Sequence, residues 1–300
     1  GLDQRLFLDF GLMSQALEWQ GLWVNKDSRM KASRRPERPK ARRPAPAAAG
    51  GRRVTLPRAL SKLGFCSRTQ AEEMIRAGRV TVGGRVATDL ETWVDLDSAV
   101  IAVDGRRVAA EERVYFMLNK PRGLVTTRHD PQGRPTVFDC LKHLDHAHLS
   151  PVGRLDKASE GLLLFTNDTE FAQALLDPET HVAKTYHVQM DRIADRAMLD
   201  AMVEGIRHDG ELRRGRGVRA IGAGERNAWS EVVLDEGRNR QIRRMLEGLD
   251  IACLRLVRVA IGNLALGALE KGAVRPLENA EVADLRRLVS QRRGENITKI

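Results

Sequence analysis

From Arg113 to Leu288, apolar runs of strand length recur without alternating strictly with helical stretches, and this pattern does most to limit the fold. Tyr115 to Leu118 and Leu162 to Phe165 are too short for helices, and the second is bounded by Gly161 and by Asn167-Asp168. Thr185 to Met190 alternates, and Trp229 to Leu234 and Leu254 to Ile261 read as strands. Helical spacing covers Ile193 to Ile206, Arg238 to Leu246 before Gly248, and Ala280 to Leu288. A doubly wound fold requires strand and helix in turn. This order predicts an α+β domain with a mixed, mainly antiparallel sheet. The 42% of hydrophobic residues can fill a core, and with only 4% aromatics it must rest on Leu, Val, Ile and Ala.

A smaller module precedes it. Leu56 to Leu63 suits a short helix that Gly64 can end in the left-handed conformation. Ser67 stands where an N-cap belongs, before a second helix over Arg68 to Ala77 closed by Gly78. Alternation around Gly83-Gly84 predicts a hairpin over Val80 to Val86, and Val100 to Val103 with Asp104-Gly105 adds another strand pair.

Charge is unevenly placed. Between Lys31 and Arg53 nine basic residues face a single acid, Glu37, which is +8 of the formal +10. With four prolines and an Ala-Gly run, this stretch is expected to be a disordered basic arm, either a solubilising tail or a non-specific RNA tether. Met30 directly precedes it and is a candidate natural start. Asp3, Asp9 and Glu18 interrupt the mildly apolar Leu2 to Val24 segment and argue against a signal peptide. No apolar run reaches the roughly 18 residues of a membrane span. Cys66, Cys140 and Cys253 are scattered and odd in number, which fits a reducing cytoplasm rather than a disulfide scaffold or zinc ribbon. His143, Asp145, His146 and His148, with His129 upstream, are metal-ligating types, but their spacing fits no familiar zinc pattern; a polar loop is the expectation, and no metal.

The densest chemical signal is Gly153-Arg154-Leu155-Asp156-Lys157-Ala158-Ser159-Glu160-Gly161, a charged loop between two glycines leading into the Leu162–Phe165 run. The residues alone leave it either a turn with a salt bridge or a mount for a catalytic side chain. Its continuation, GRLDKASEGLLLFTND, resembles the hallmark loop of the RNA pseudouridine synthases, in the branch of the ribosomal small-subunit synthase A and large-subunit synthases B, E and F. Blocks in family order agree: LNKPRGLVTT at 118–127, KTYHVQM at 184–190, EGRNRQIRRM at 236–245 and LVRVAIGNLALGALEKGAVRPL at 256–277. The upstream module, LPRALSKLGFCSRTQAEEMIRAGRVTVGGRV, resembles the S4 RNA-binding domain. The expected division is a basic extension at 1–53, an S4 domain at 54–110, a catalytic domain at 111–290 and a tail at 291–300.

The resemblance implies a site-specific rRNA uridine isomerase that breaks N1–C1′ and rejoins the base through C5, cytoplasmic, monomeric by default, without cofactor or membrane. It places the family's catalytic aspartate on Asp156, the tyrosine that stacks on the flipped base on Tyr186, and the basic partner of the aspartate on Arg243. Arg154 is the candidate wedge for the gap the base leaves. In the S4 module, Arg58, Lys62, Arg68, Arg76, Arg79 and Arg85 fall on RNA-reading positions. Charge there is nearly balanced, eight basic against seven acidic between Val54 and Val108, so binding must come from placement on one face. Lys120, Arg122 and Lys184 are candidates for phosphate contact. Asp156 could engage C1′ of the sugar or C6 of the base. The rival reading is an S4-type RNA-binding or ribosome-assembly factor whose synthase domain is inactive.

Overall fold

A computed structural model describes residues 52–144 and 148–297, the last six as backbone alone. Residues 1–51 of the basic extension, the start expected at Met30, and Asp145 and His146 of the histidine cluster lie outside the described residues; the last two residues of the arm expected to be disordered are instead ordered, Arg53 opening strand Arg53–Thr55, which pairs antiparallel with Trp93–Asp95.

The first module is built around helices Leu56–Lys62 and Arg68–Arg76. Gly64 is left-handed (φ 82°) and lets the chain turn between them. Ser67 caps the second helix in a capping box: its hydroxyl accepts from Gln70 N, and the Gln70 side chain accepts from Ser67 N. Strands Val80–Val82 and Arg85–Val86 pair across the Gly83-Gly84 turn, and Ile101–Val103 and Arg106–Arg107 complete a four-stranded sheet. Leu56, Leu60, Ala71, Ile75, Val80 and Ile101 form the module's own core.

The second module has a nine-stranded sheet. Its main path runs Gly217–Ala223, Ala228–Leu234, Lys184–Met190, Cys253–Ile261, Glu160–Thr166, Tyr115–Lys120 and Val274–Pro276. Every pairing is antiparallel except Cys253–Ile261 with Glu160–Thr166. The expected α+β architecture with a mixed, mainly antiparallel sheet is therefore what the chain adopts. All seven residues of Glu160–Thr166 are buried, because both sheet faces are covered. On one face, Tyr186, Val188, Val232 and Leu256 pack on Ile242, Met245 and Leu246 of helix Gln241–Glu247. On the other, Met117, Leu162 and Leu164 pack on Phe171 and Leu175 of helix Thr169–Leu176 and on Val282, Leu285 and Val289 of helix Asn279–Ile297.

Three helices differ from expectation. Asp195 caps Met198 N, so the helix expected from Ile193 is Arg196–Glu204. Arg240 is left-handed (φ 51°), which delays the helix expected at Arg238 to Gln241. The last helix runs to Ile297, past Leu288 and into the expected tail.

The modules meet through charge. Glu170, on helix Thr169–Leu176, accepts from Lys62 Nζ at 2.5 Å and from Arg52. Beside it Asp168, 4% exposed, caps that helix through Oδ1 and accepts from Arg113, the Tyr115 hydroxyl and Arg286 through Oδ2. No helix among the described residues is long and apolar enough to cross a membrane.

Candidate active site

A cavity of about 300 Å³ opens on the sheet face that carries Tyr186. Its floor is Lys184 and Tyr186 from one strand, Leu234 from the next, and Leu256 and Arg258 from the strand on the other side. One wall is the Gly153–Ser159 loop, and the other is residues 237–242, leading into helix Gln241–Glu247. Asp156 and Tyr186, far apart in sequence, thus line one cavity. So do Arg154 and Lys184. Five cations and one carboxylate, Asp156, line it among the described residues, so it favours an anionic guest.

The loop is tied at every step. Leu155 O accepts from the Thr126 hydroxyl at 2.7 Å, and Asp156 O from Ser159 N at 2.9 Å. Lys157 O accepts from Gly123 N at 2.8 Å, Ala158 O from Arg243 Nη2 at 3.2 Å, and Ser159 O from Lys120 Nζ at 2.8 Å. Five consecutive carbonyls are satisfied, three of them by the 118–127 block. Leu155 is buried as an anchor, while Asp156 is exposed toward the cavity. The loop closes at Gly161, whose φ of 100° and close approach exclude a side chain: an ideal Cβ would lie 2.3 Å from Arg258 O. That approach lets the two strands pair in parallel, Gly161 opposite Arg258.

Several expected contacts take another form. Arg243, 8% exposed, does not line the cavity, and among the described residues its guanidinium meets backbone carbonyls rather than Asp156. Its guanidinium is spent on Ala158 O and, at 3.4 Å, on Cys253 O, while Nε is buried without a partner. It grips the aspartate's loop, not the aspartate. Lys120 is fully buried and cannot meet a phosphate. Burial lowers its pKa to about 8, against the opposing attraction of Asp156 and Glu160. Lys184 is likewise lowered to about 8, first by burial and then by Arg258, with Asp235 opposing. Tyr186 is 9% exposed, and its hydroxyl has no hydrogen-bond partner among the described residues. Arg122 and Arg154 are exposed, as expected of contacts to RNA.

In the first module Arg58, Arg68, Arg76, Arg79 and Arg85 are exposed. Arg79 is forked onto Asp104 (2.9 and 2.5 Å), and Arg76 reaches Glu72 at 3.4 Å. Lys62 is half-buried and held by Glu170 at the junction between modules.

Two groups are absent from the sequence reading. Glu160, 3% exposed, accepts from both forks of Arg255 at 3.1 Å and from Lys271 at 2.7 Å. Burial opposes its charge, but those bonds outweigh it and hold the carboxyl below its usual range. The other is Arg258, 5% exposed on the cavity floor; a cation at an inward position of an apolar strand was the available signal. Among the described residues there is no cluster of three or more metal-ligating side chains, and Cys66, Cys140 and Cys253 are free thiols.

Comparison with known proteins accords with this geometry. Residues 114–248 match the RNA pseudouridylate synthase family, and residues 54–100 match the S4 domain. An uncharacterized RNA pseudouridine synthase of Mycobacterium bovis is 39% identical over 237 residues, covering 78% of this chain and 93% of its own. The ribosomal large subunit pseudouridine synthase B of Bacillus subtilis is 37% identical over 243 residues, covering 80% and 98%. A crystal structure of a pseudouridylate synthase superposes with a TM-score of 0.56 at 28% identity, covering 77% of this chain and 99% of that one.

Proposed function

The chain belongs to the RNA pseudouridine synthase family and carries an S4 domain before the synthase domain, and from that premise we propose that it converts a specific uridine of ribosomal RNA to pseudouridine. The relatives named for the large ribosomal subunit support that subunit's RNA as substrate. The observation that carries the reading is the cavity shared by Asp156 and Tyr186, on a loop pinned at five successive carbonyls.

In this reading the RNA lies along the exposed arginines of the S4 module, with Arg154, Arg238 and Arg240 at the mouth of the cavity. The target base leaves its stack, at a cost of a few kcal/mol, and Arg154 fills the gap. Stacking on Tyr186 returns roughly 1–3 kcal/mol. Asp156 then acts as the nucleophile, at C1′ or C6. Ordered donors behind it keep its position fixed as charge shifts. Arg243 and Lys120 serve as positioning residues through the loop's backbone. Three free thiols fit a reducing cytoplasm.

Release of tritium from 5-tritiated uridine in rRNA tests the proposal. The wild-type chain is expected to release it. Asp156→Ala is expected to lower release at least about 10³-fold while RNA affinity changes less than about twofold. Release by Asp156→Ala near the wild-type rate would remove Asp156 from its role. No release by the wild type from either ribosomal RNA would favour an RNA-binding or assembly factor.

A further inference from the structure

Arg258 lies directly across the strand pair from Tyr186, so the two side chains share a face of the sheet, and both line the cavity. Its Nε donates to Leu162 O at 2.7 Å. Its Nη2 is buried and has no hydrogen-bond partner among the described residues. Nor does the guanidinium form an ion pair with any described carboxylate. Lys184, two residues from Tyr186 on the same face, has only Leu175 O at 3.5 Å and no ion pair among the described residues. A buried cation and a half-buried one side by side repel each other and lack a counter-charge among the described residues. That arrangement is costly unless something negative arrives.

The reaction supplies such a charge. If Asp156 engages C1′, a carboxylate oxygen bonds to that carbon as N1–C1′ breaks. The bonding pair leaves on the ring, giving a uracil monoanion spread over N1, O2 and O4. C5 then bonds to C1′, the carboxylate departs, the C5 proton is lost and N1 is protonated. If Asp156 engages C6 instead, the C5–C6 double-bond pair moves through C4 to O4 as an enolate. N1–C1′ then breaks, C5 bonds to C1′, the carboxylate leaves C6 as the C5–C6 double bond re-forms with loss of the C5 proton, and N1 is protonated. Either route is thus a balanced isomerisation that puts negative charge on the carbonyl oxygens of the base.

We propose that Arg258, with Lys184 beside it, is a further catalytic residue that binds a uracil carbonyl oxygen and stabilises the negative charge of the base between bond breaking and bond making. The inference rests on the pseudouridine-forming reading above. A backbone phosphate is the other anion within reach, but the exposed Arg154, Arg238 and Arg240 at the mouth are placed for phosphates. Arg258 is buried on the floor, beside the ring on which the base stacks.

The test compares single-turnover rates on transcripts of both ribosomal RNAs carrying either uridine or 5-fluorouridine, read as consumption of the target nucleoside by chromatography of the digested fragment. Fluorine withdraws electrons and makes the base a better anion by itself. Arg258→Gln is expected to slow uridine about 10²-fold, the usual loss for one donor to a developing anion. It should slow 5-fluorouridine by less than about 10-fold, with RNA affinity within about twofold of wild type. Arg258→Lys, which keeps the charge but loses Nη2, should fall between. If Arg258→Gln does not fold, Lys184→Gln, at a half-buried position, carries the same comparison. Equal penalties on both bases, or a loss residing wholly in affinity, would overturn the inference and leave Arg258 a structural or phosphate-binding residue. Inactivity of the wild type on uridine would overturn the enzyme reading, and this inference with it.

Discussion

Lys120 and Lys184 give two opposed pH trends. Both lose their protons near pH 8 in the folded chain, against 10.5 for an ordinary lysine. Lys120 faces Asp156, Glu160 and Cys140; Lys184 faces Arg258 and Asp235. Activity that needs either ammonium should fall as pH rises through about 8. Stability should move the other way. Between about 8 and 10.5 the unfolded chain binds more protons at these two sites than the folded one, so their contribution to stability rises with pH. Initial rates and urea midpoints measured over the same pH series separate the trends. A rate unchanged to pH 9.5 would show that neither charge serves the reaction. The role of Lys120 was hidden in the sequence, where Lys120 beside Pro121 and Arg122 reads as a phosphate contact. Only the fold reveals that its ammonium is enclosed by Pro121 O and Ser159 O. Arg243 misled in the same way: it lies among Arg238, Arg240 and Arg244, and sequence alone cannot say which of four arginines turns inward.

At the scale of elements, Gly161 makes the sharpest claim. Gly161→Ala would need a left-handed alanine and would push the Cys253–Ile261 strand away from Glu160–Thr166 at their parallel pairing. A loss of about 3 kcal/mol is expected, read as a lower urea midpoint at unchanged slope. A loss below about 1 kcal/mol would mean the strands can separate freely. The sheet itself was largely legible, because alternation in Thr185–Met190 and the uninterrupted apolar run Leu162–Phe165 reflect one and two covered faces. Helix Thr169–Leu176 was not among the expected elements: it is short, and its Asp168 cap gains meaning only when Arg113, Tyr115 and Arg286 converge on the same carboxylate. Strand Gly217–Ala223 was missed as well, since most of it is exposed and it has little apolar alternation to read.

At the scale of the whole molecule, Glu170 joins the RNA-reading module to the synthase module. Hydrogen bonding from Lys62, then from Arg52, outweighs its partial burial and holds the carboxyl below its usual range. Its contribution is therefore present above the ordinary carboxylate pKa and is lost as pH falls from there through the lowered folded pKa. Because the partners are partly exposed, Glu170→Gln should change global stability by less than about 1 kcal/mol. It should nevertheless speed amide exchange in helices Leu56–Lys62 and Thr169–Leu176, measured at 0.5 M salt and below. Unchanged exchange in both helices would mean that the modules are held by other contacts. The loop behind Asp156 sets a different condition on the same encounter. With no carbonyl from Leu155 to Ser159 left unbonded, that turn has no slack to yield when a strand arrives. If the base is extruded as proposed, the deformation falls on the incoming RNA, and a target already loosened by a bulge or an end is expected to react fastest.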